Sequence, residues 1–275
     1  MSVGTLGSVA IVGTGQTGTA LGVALARSGA AREIILYDRD PATARRSLAL
    51  GAGDRIVGRI EDALRADTVI LAVPVSAIVT IVNAHGGSLR PGALLLDTGS
   101  TKSVVVEAMR RSVEPAVHAI GGHPVAGTER PGPDGADAAA LSGATFALCP
   151  VRNDPEALRR ARILAAAVGA EALVIDAADH DRAIARTIGL PHLLAFALHA
   201  AVRAADGMTG ALAGPGLRGA TRLAHSDPAM VAALLAANAP ETREAVAELR
   251  SALDALVASL DDEVALAGAL ARAAR

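Results

Sequence analysis

Apolar runs alternate with helical patterns along the first part of the chain. The apolar runs lie at residues 9–12, 34–37, 69–73, 93–96, 117–120, 145–148 and 172–175. Residues 40–50 and 76–84, which lie between the earlier runs, are typical of helices. Strands that alternate with helices predict a parallel sheet covered on both faces. The ligand crevice of such a sheet lies at the carboxyl ends of its strands.

The first two apolar runs enclose a turn with the sequence Gly13-Thr14-Gly15-Gln16-Thr17-Gly18. Glycines at these three positions allow a tight turn, a close approach of a pyrophosphate and close helix–strand packing. Asp38 closes the second run, where a carboxylate binds a ribose diol and repels a 2′-phosphate. A glycine-rich turn that binds nothing is the alternative, and the position of Asp38 argues against it.

This arrangement predicts a dinucleotide-binding domain of the Rossmann type that prefers NAD, although the adjacent Arg39 partly offsets the preference over NADP. The candidate cofactor-binding residues are Gly13, Gly15, Gln16, Thr17, Gly18, Asp38, Val73 and Pro74.

The strand pattern stops near residue 175, and the chain is helical in pattern from residue 179 onward. We therefore predict a Rossmann-type parallel-sheet domain at residues 1–177 and an all-helical domain at residues 178–275. One apolar helix stripe runs through Val246, Leu249, Leu253, Leu256 and Leu260. The stripe packs either inside its domain or against a second copy, and the scarcity of aromatic side chains in this domain favours a homodimer.

Composition excludes several classes of function. Hydrophobic residues make up 51% of the 275 residues, but aromatic residues only 1%. The formal charge of −2 argues against binding to nucleic acid or to an anionic membrane. The single cysteine, Cys149, excludes an internal disulfide and a cysteine-based zinc cluster. Without a signal peptide or a long uninterrupted apolar stretch, we expect a cytoplasmic protein with no metal.

Two polar segments follow predicted strands and are candidate sites. Asp97-Thr98-Gly99-Ser100-Thr101-Lys102 brings a hydroxyl and an ammonium to the crevice, although capping of the next helix explains the hydroxyls equally well. The segment from Gly121 to Arg130 carries His123 between glycine and proline, in a predicted loop. A lone histidine is often structural. The position of His123 at the crevice, and the ordinary pKa of histidine near neutrality, favour a role as a general base.

The helical part contains two further candidates. Pro191 is expected to kink or restart a helix and to leave His192 near its start. Arg218 and Arg222 lie in an otherwise uncharged stretch, and arginine is suited to bidentate recognition of carboxylates. The alternative for these arginines is a solvated helix face.

Four motifs together resemble the prephenate/arogenate dehydrogenase family of tyrosine biosynthesis. They are residues 97–102, Gly121-Gly122-His123-Pro124-Val125-Ala126-Gly127-Thr128-Glu129, Leu190-Pro191-His192-Leu193-Leu194-Ala195, and Thr221-Arg222 followed by Ser226-Asp227-Pro228. The resemblance implies a Rossmann domain, a helical dimerisation domain, and NAD(P)-dependent oxidation of a cyclohexadienol with loss of carbon dioxide.

The resemblance also implies roles for individual residues. His123 would be the catalytic histidine at the ring hydroxyl, and Ser100 would bond that hydroxyl or His123. Arg222 would bind a substrate carboxylate, with His192, Arg218 and Thr128 as further substrate-binding candidates. The chain departs from the family at Ile188-Gly189, where the family often has Ser-His. This departure leaves the substrate side chain open.

Prephenate is the expected substrate, and arogenate or 4-amino-4-deoxyprephenate is the alternative. A β-hydroxyacid dehydrogenase would need a catalytic lysine in the second domain, and no lysine follows Lys102. A nicotinamide-sensing protein without turnover is the alternative from another class, and it would bind NAD but leave it unreduced.

Overall fold

The computed structural model describes residues 6–127, 130–203 and 211–274. The chain divides into two compact units, the first ending at Asp181 and the second beginning at Arg182. The predicted boundary at Ala177 coincides with the first residue of a helix and stays a prediction.

The first unit contains one eight-stranded sheet. Its strands are β1 (Ser8–Val12), β2 (Glu33–Tyr37), β3 (Arg55–Ile56), β4 (Thr68–Leu71), β5 (Leu94–Asp97), β6 (His118–Pro124), β7 (Thr145–Pro150) and β8 (Glu171–Val174). They lie in the order β3-β2-β1-β4-β5-β6-β7-β8. All neighbouring strands are parallel except β6 and β7. The order reverses between β1 and β4, which is where a doubly wound sheet opens its ligand crevice.

The helices of the first unit cover both faces of this sheet. They are α1 (Gln16–Ser28), α2 (Pro41–Ala49), α3 (Ile60–Ala63), α4 (Val75–His85), α5 (Ser103–Ser112), α6 (Pro155–Ala167) and α7 (Ala177–Ile184), which runs into the second unit. Two of them begin at an Asp-Pro pair. The carboxylates of Asp40 and Asp154 accept from backbone N–H groups of the first turn, and the following proline needs no donor there.

The core follows from the alternation of side chains along the strands. Val9 and Ile11 of β1 point to one face, where they join the buried residues of α1 and α6. Ala10 and Val12 point to the other face, with buried residues of α4 and α5. Because both faces are covered, the central strands read as continuous apolar runs, which is why their positions are visible in the sequence.

The second unit is helical throughout its described residues. After α7 comes a π-helical turn (Ala185–Gly189), then α8 (Leu190–Arg203), α9 (Pro215–Ala220), a 3-10 turn (Arg222–His225), α10 (Pro228–Ala237), α11 (Ala239–Val257) and α12 (Glu263–Ala273). A sheet domain followed by a helical region confirms the predicted fold class.

Pro191 is the second residue of α8, so His192 lies near the start of that helix, as expected from sequence. The N–H of Leu190 donates to the carbonyl oxygen of Ala185, five residues earlier, in the π-helical turn. This wider turn adapts the helix just before a residue that has no N–H to donate.

One helical stretch within the described residues, Ala177–Arg203, is long and apolar enough to cross a membrane by length and composition alone. A core helix of a soluble protein passes the same test, so this stretch is weak support for a membrane span.

Candidate active site

The glycine loop between β1 and α1 has two glycines that the fold itself requires. Gly13 has a φ of 93°, in the left-handed region. A Cβ on Gly18 would overlap the carbonyl oxygen of Gly13. Gly15 differs, because a Cβ there would have nothing within 4 Å and its φ is −67°. The open space at Gly15, at the first turn of α1, fits a phosphate group.

Asp38 is held against the glycine loop. Its Oδ2 accepts from the backbone N–H of Thr14 at 2.7 Å and from the Thr14 hydroxyl at 3.1 Å. Its Oδ1 accepts from the N–H of Asp40 at 3.0 Å. A carboxylate has about four acceptor positions, so one remains for a ribose hydroxyl. The carboxylate of Asp38 therefore lies close to Gly15, as the binding of a dinucleotide requires.

The other candidate cofactor residues lie around this loop. Gln16 begins α1, and its amide donates to the carbonyl oxygens of Arg130 at 3.1 Å and Gly135 at 3.3 Å. Thr17 is half-buried in the same first turn. A Cβ on Gly13 would overlap the side chain of Val73, and Pro74 is the N-cap residue of α4. Gln16 thus attaches the segment at residues 130–135 to the glycine loop.

Lys102 forms a buried ion pair and is not available to a substrate. Its ammonium donates to Asp97 Oδ2 and, at 2.7 Å, to the carbonyl oxygen of Gly122, and both charged side chains are fully buried. Asp97 also accepts from the N–H groups of Gly99 and Gly122. The expectation that the segment at residues 97–102 brings an ammonium to the crevice was therefore wrong, because the charge of Lys102 is neutralised inside the sheet unit.

Ser100 follows β5, and His123 lies near the carboxyl end of the neighbouring β6. Ser100 is half-buried, and its hydroxyl has no hydrogen-bond partner among the described residues. His123 belongs to the strand itself rather than to the predicted loop, because β6 continues past residue 120 by pairing with β7, with His123 opposite Ala147. Both side chains therefore come to the carboxyl-end edge of the sheet.

His123 is one end of a chain of three buried side chains. Its Nδ1 lies 2.9 Å from His180 Nε2, and His180 Nδ1 lies 2.9 Å from Asp181 Oδ1. Their exposures are 7%, 3% and 4%. Burial, together with the charge of Lys102, lowers the pKa of His123 to about 3, far below the ordinary value expected from sequence. The imidazole is therefore neutral at physiological pH.

The sequence interpretation missed His180 and Asp181. They are adjacent in the sequence, but their contact with His123 depends on the pairing of β7 and β8 between them. The signal in the sequence was a run of titratable residues, Asp179-His180-Asp181-Arg182, in the helix after β8.

Three predicted substrate residues lie in the second unit, and Thr128 lies outside the described residues. His192 is half-buried, and its Nδ1 lies 2.8 Å from the carbonyl oxygen of Ile188. Since a carbonyl only accepts, Nδ1 of His192 donates this hydrogen bond. Arg218 is exposed and donates to the carbonyl oxygen of Ala213 at 3.0 Å. Arg222 is exposed and has no ion pair or hydrogen-bond partner among the described residues.

A parallel sheet with this glycine loop, followed by a helical unit, defines the class of two-domain dehydrogenases that bind a dinucleotide. The family model described as the nucleotide-binding domain of prephenate dehydrogenase matches residues 21–174. The model described as its dimerization domain matches residues 176–267. The chain belongs to the prephenate dehydrogenase family, which confirms the resemblance seen in the motifs.

Three relatives differ in substrate. A cyclohexadienyl dehydrogenase of Zymomonas mobilis is 30% identical and matches 84% of this chain and 81% of its own length. The structure of A. aeolicus prephenate dehydrogenase with hydroxyphenyl propionate and NAD+ is 26% identical, with a TM-score of 0.88 over 97% of this chain and 95% of its own. Synechocystis arogenate dehydrogenase is 26% identical, with a TM-score of 0.84 over 96% of each chain. The family and its type of chemistry are thus shown, whereas the substrate within it is not.

Proposed function

We propose that this protein catalyses the NAD-dependent oxidative decarboxylation of prephenate to 4-hydroxyphenylpyruvate in tyrosine biosynthesis. The observation that carries the proposal is His123, a neutral imidazole at the carboxyl-end edge of a sheet whose glycine loop has open space at Gly15. Such a ring can accept a proton from a substrate hydroxyl. The proposal includes a cytoplasmic enzyme that forms homodimers through its helical unit.

The bound cofactor supplies one function, acceptance of a hydride from the ring carbon that bears the hydroxyl. His123 takes the hydroxyl proton as the hydride leaves, so that positive charge does not build up on the oxygen. The bond from the ring to its carboxylate then breaks, and its electron pair completes the aromatic ring as carbon dioxide departs. The proton returns from His123 to the phenolate oxygen. Ser100, whose hydroxyl has no partner in the part of the chain that the structure describes, is assigned to the hydrogen bond that orients the substrate hydroxyl.

The substrate is a dianion, so the protein must supply cations. Arg222 is assigned to a substrate carboxylate because its guanidinium is exposed and unpaired among the described residues. His192 and Arg218 are assigned to the same substrate from their motifs, and so is Thr128. These assignments are proposals that rest on the family pattern.

Prephenate is favoured over the amino analogues by the charge around these residues. Recognition of the ammonium of arogenate normally needs a nearby carboxylate. Neither Arg218 nor Arg222 is paired with a carboxylate among the described residues. The arginines instead provide uncompensated positive charge, which suits a keto acid.

The test measures NADH formation from prephenate, arogenate and 4-amino-4-deoxyprephenate at equal concentration. We expect the highest kcat/KM with prephenate. A tenfold higher kcat/KM with either amino compound, about 1.4 kcal/mol in transition-state binding, contradicts the assignment of substrate but not of family. Absence of turnover with all three would support a nicotinamide-sensing protein instead.

The cofactor is tested by steady-state kinetics with NAD and NADP. Asp38, which is held at the glycine loop by the N–H of Thr14, would repel a 2′-phosphate, so we expect the higher kcat/KM with NAD. A preference for NADP would mean that the adjacent, exposed Arg39 overrides Asp38.

A further inference from the structure

The hydrogen bonds among the buried side chains of His123, His180 and Asp181 run in one direction. This direction determines which nitrogen atom carries each proton. Asp181 is the fixed end. Its Oδ1 accepts from the backbone N–H of Lys102 at 2.7 Å and its Oδ2 from that of Ser103 at 2.8 Å, at the start of α5. Burial raises the pKa of Asp181, but the bonds from His180, Ser103 and Lys102 outweigh burial and lower it. Asp181 is therefore an ionised carboxylate, which can only accept hydrogen bonds.

The order of donors follows from this fixed end. Since Asp181 only accepts, the proton of the 2.9 Å contact lies on His180 Nδ1. In the His180 ring, which is 3% exposed, a single proton on Nδ1 leaves the lone pair on Nε2, which accepts. The proton of the next contact, also 2.9 Å, then lies on His123 Nδ1. The remaining nitrogen of His123, Nε2, carries a lone pair and has no partner among the described residues.

We propose that His180 and Asp181 are positioning residues that hold His123 in the tautomer whose Nε2 is free to take the substrate proton. The role of His123 in this inference rests on the proposed function. When Nε2 receives the hydroxyl proton, the positive ring of His123 keeps its Nδ1–H bonded to His180, and the dipole of His180 faces the carboxylate of Asp181. No second proton needs to move.

Asp181→Asn tests the direction of the chain. An amide can donate to His180 Nδ1, which would place the His180 proton on Nε2 and turn its contact with His123 around. His123 would then carry its proton on Nε2, where it blocks the base. With its nitrogen at the Oδ1 position, the carboxamide keeps an oxygen to accept from the N–H of Ser103 but loses the bond from the N–H of Lys102.

The chain offers a matched control in Asp154. This carboxylate also accepts from two N–H groups at a helix start, those of Glu156 at 3.1 Å and Ala157 at 3.0 Å, and it also contacts a histidine, with His118 Nδ1 2.8 Å away. Asp154→Asn therefore removes the same kinds of bonds without touching His123. A purely structural role for Asp181 predicts the same result for both variants.

The first measurement is nitrogen-15 NMR of histidine-labelled protein at neutral pH, with His123→Asn to assign the signals. We expect Nε2 of His123 to be unprotonated in the wild type and in Asp154→Asn, and protonated in Asp181→Asn. A wild-type His123 that carries its proton on Nε2 overturns the inference. This measurement needs no turnover, so it decides the inference even if the proposed function fails.

The second measurement is steady-state kinetics with prephenate and NAD. We expect Asp181→Asn to lower kcat by about 100-fold or more, with an unchanged KM for NAD, and Asp154→Asn to keep wild-type kcat. His180→Gln, whose amide oxygen can accept from His123, should retain more kcat than His180→Leu. Equal kcat in Asp181→Asn and Asp154→Asn, or full kcat in His180→Leu, contradicts the inference.

Discussion

The two units of the chain differ in how they bury apolar surface. In the first unit, strands β1, β4 and β5 and their covering helices contain many side chains with no exposure at all. In the described residues of the second unit, the buried apolar side chains are Ile184, Ala185, Ala195, Val231 and Ala245, which are mostly small. The sheet unit thus completes its own core, whereas the helical unit does not.

The helical unit instead leaves large apolar side chains exposed. Leu253 and Leu260 of the predicted stripe are 55% and 62% exposed, and Val264 of α12 is 83% exposed. The family describes this region as a dimerization domain. We therefore propose that a second copy covers the stripe, so that one unit is stabilised within the chain and the other between chains.

The largest expected effect tests whether the chemistry belongs to the sheet unit. His123→Asn should lower kcat by about two to four orders of magnitude, as expected for the loss of a general base. The KM for NAD should hardly change, because the residues proposed to hold the dinucleotide are those of the glycine loop and Asp38. A variant with near wild-type kcat would mean that His123 is a structural residue and that another group is the base.

The next effect compares the two cores directly. Leu21 in α1 is fully buried, so Leu21→Ala should lower the free energy of unfolding by about 2.5–5 kcal/mol. Leu253→Ala, at an exposed position of α11, should cost only about 0.5 kcal/mol in a monomer. Denaturant unfolding at several protein concentrations measures both.

Only the loss at Leu253 should grow with protein concentration, because only there does a second copy add burial. A loss at Leu253 that is large at every concentration would mean that the stripe is covered within one chain. The proposed difference between the units would then be wrong.

A smaller effect tests substrate binding by the helical unit. Arg222→Gln removes a charge-assisted bond, which costs about 1.5–3 kcal/mol. We expect a raised KM for prephenate and a smaller change in kcat. Arg250→Gln in α11, also exposed, serves as the control for loss of a surface charge. If kcat falls instead and KM stays constant, Arg222 acts in the chemical step.

The last effect, close in size to that expected for Arg222, concerns pH and the sheet unit. The unfolded chain protonates His123 near pH 6.5, whereas the folded chain does so only at a pKa of about 3. Because the unfolded state then binds more protons, stability should fall as the pH drops from 6.5 to 4.5, by up to about 1.4 kcal/mol per pH unit. His123→Asn should show a flatter profile in denaturant unfolding. Parallel profiles would mean that the ring is not kept neutral by burial.

The sequence was sufficient where structure is local. The glycine loop and Asp38 were predicted because each part has its own residue pattern within one strand–helix–strand unit. The sequence analysis placed His123 in a loop, whereas this residue lies in β6. Backbone pairing with β7 lengthens β6, and no local sequence pattern indicates that pairing. The two-residue β3 is too short to produce an apolar run.

The buried charges could not be predicted in the same way. Lys102 looked available because a lysine in a polar segment usually is, and only the approach of Asp97 and Gly122 buries it. His180 joins His123 across a sequence separation of 57 residues, through strands whose order the sequence does not specify. The sequence analysis therefore identified His123 by itself and did not identify His180.

The π-helical turn at Ala185–Gly189 behaves as a one-residue insertion in an otherwise regular helix. Each residue turns an α-helix by about 100°, so the extra residue sets which side of α8 carries His192 relative to the residues before the turn. Deleting one residue in this turn would let the helix close into regular α geometry and would rotate His192 by one such step. Insertion or deletion of one residue in this turn can therefore change which side chain of α8 faces a ligand, without a substitution in α8.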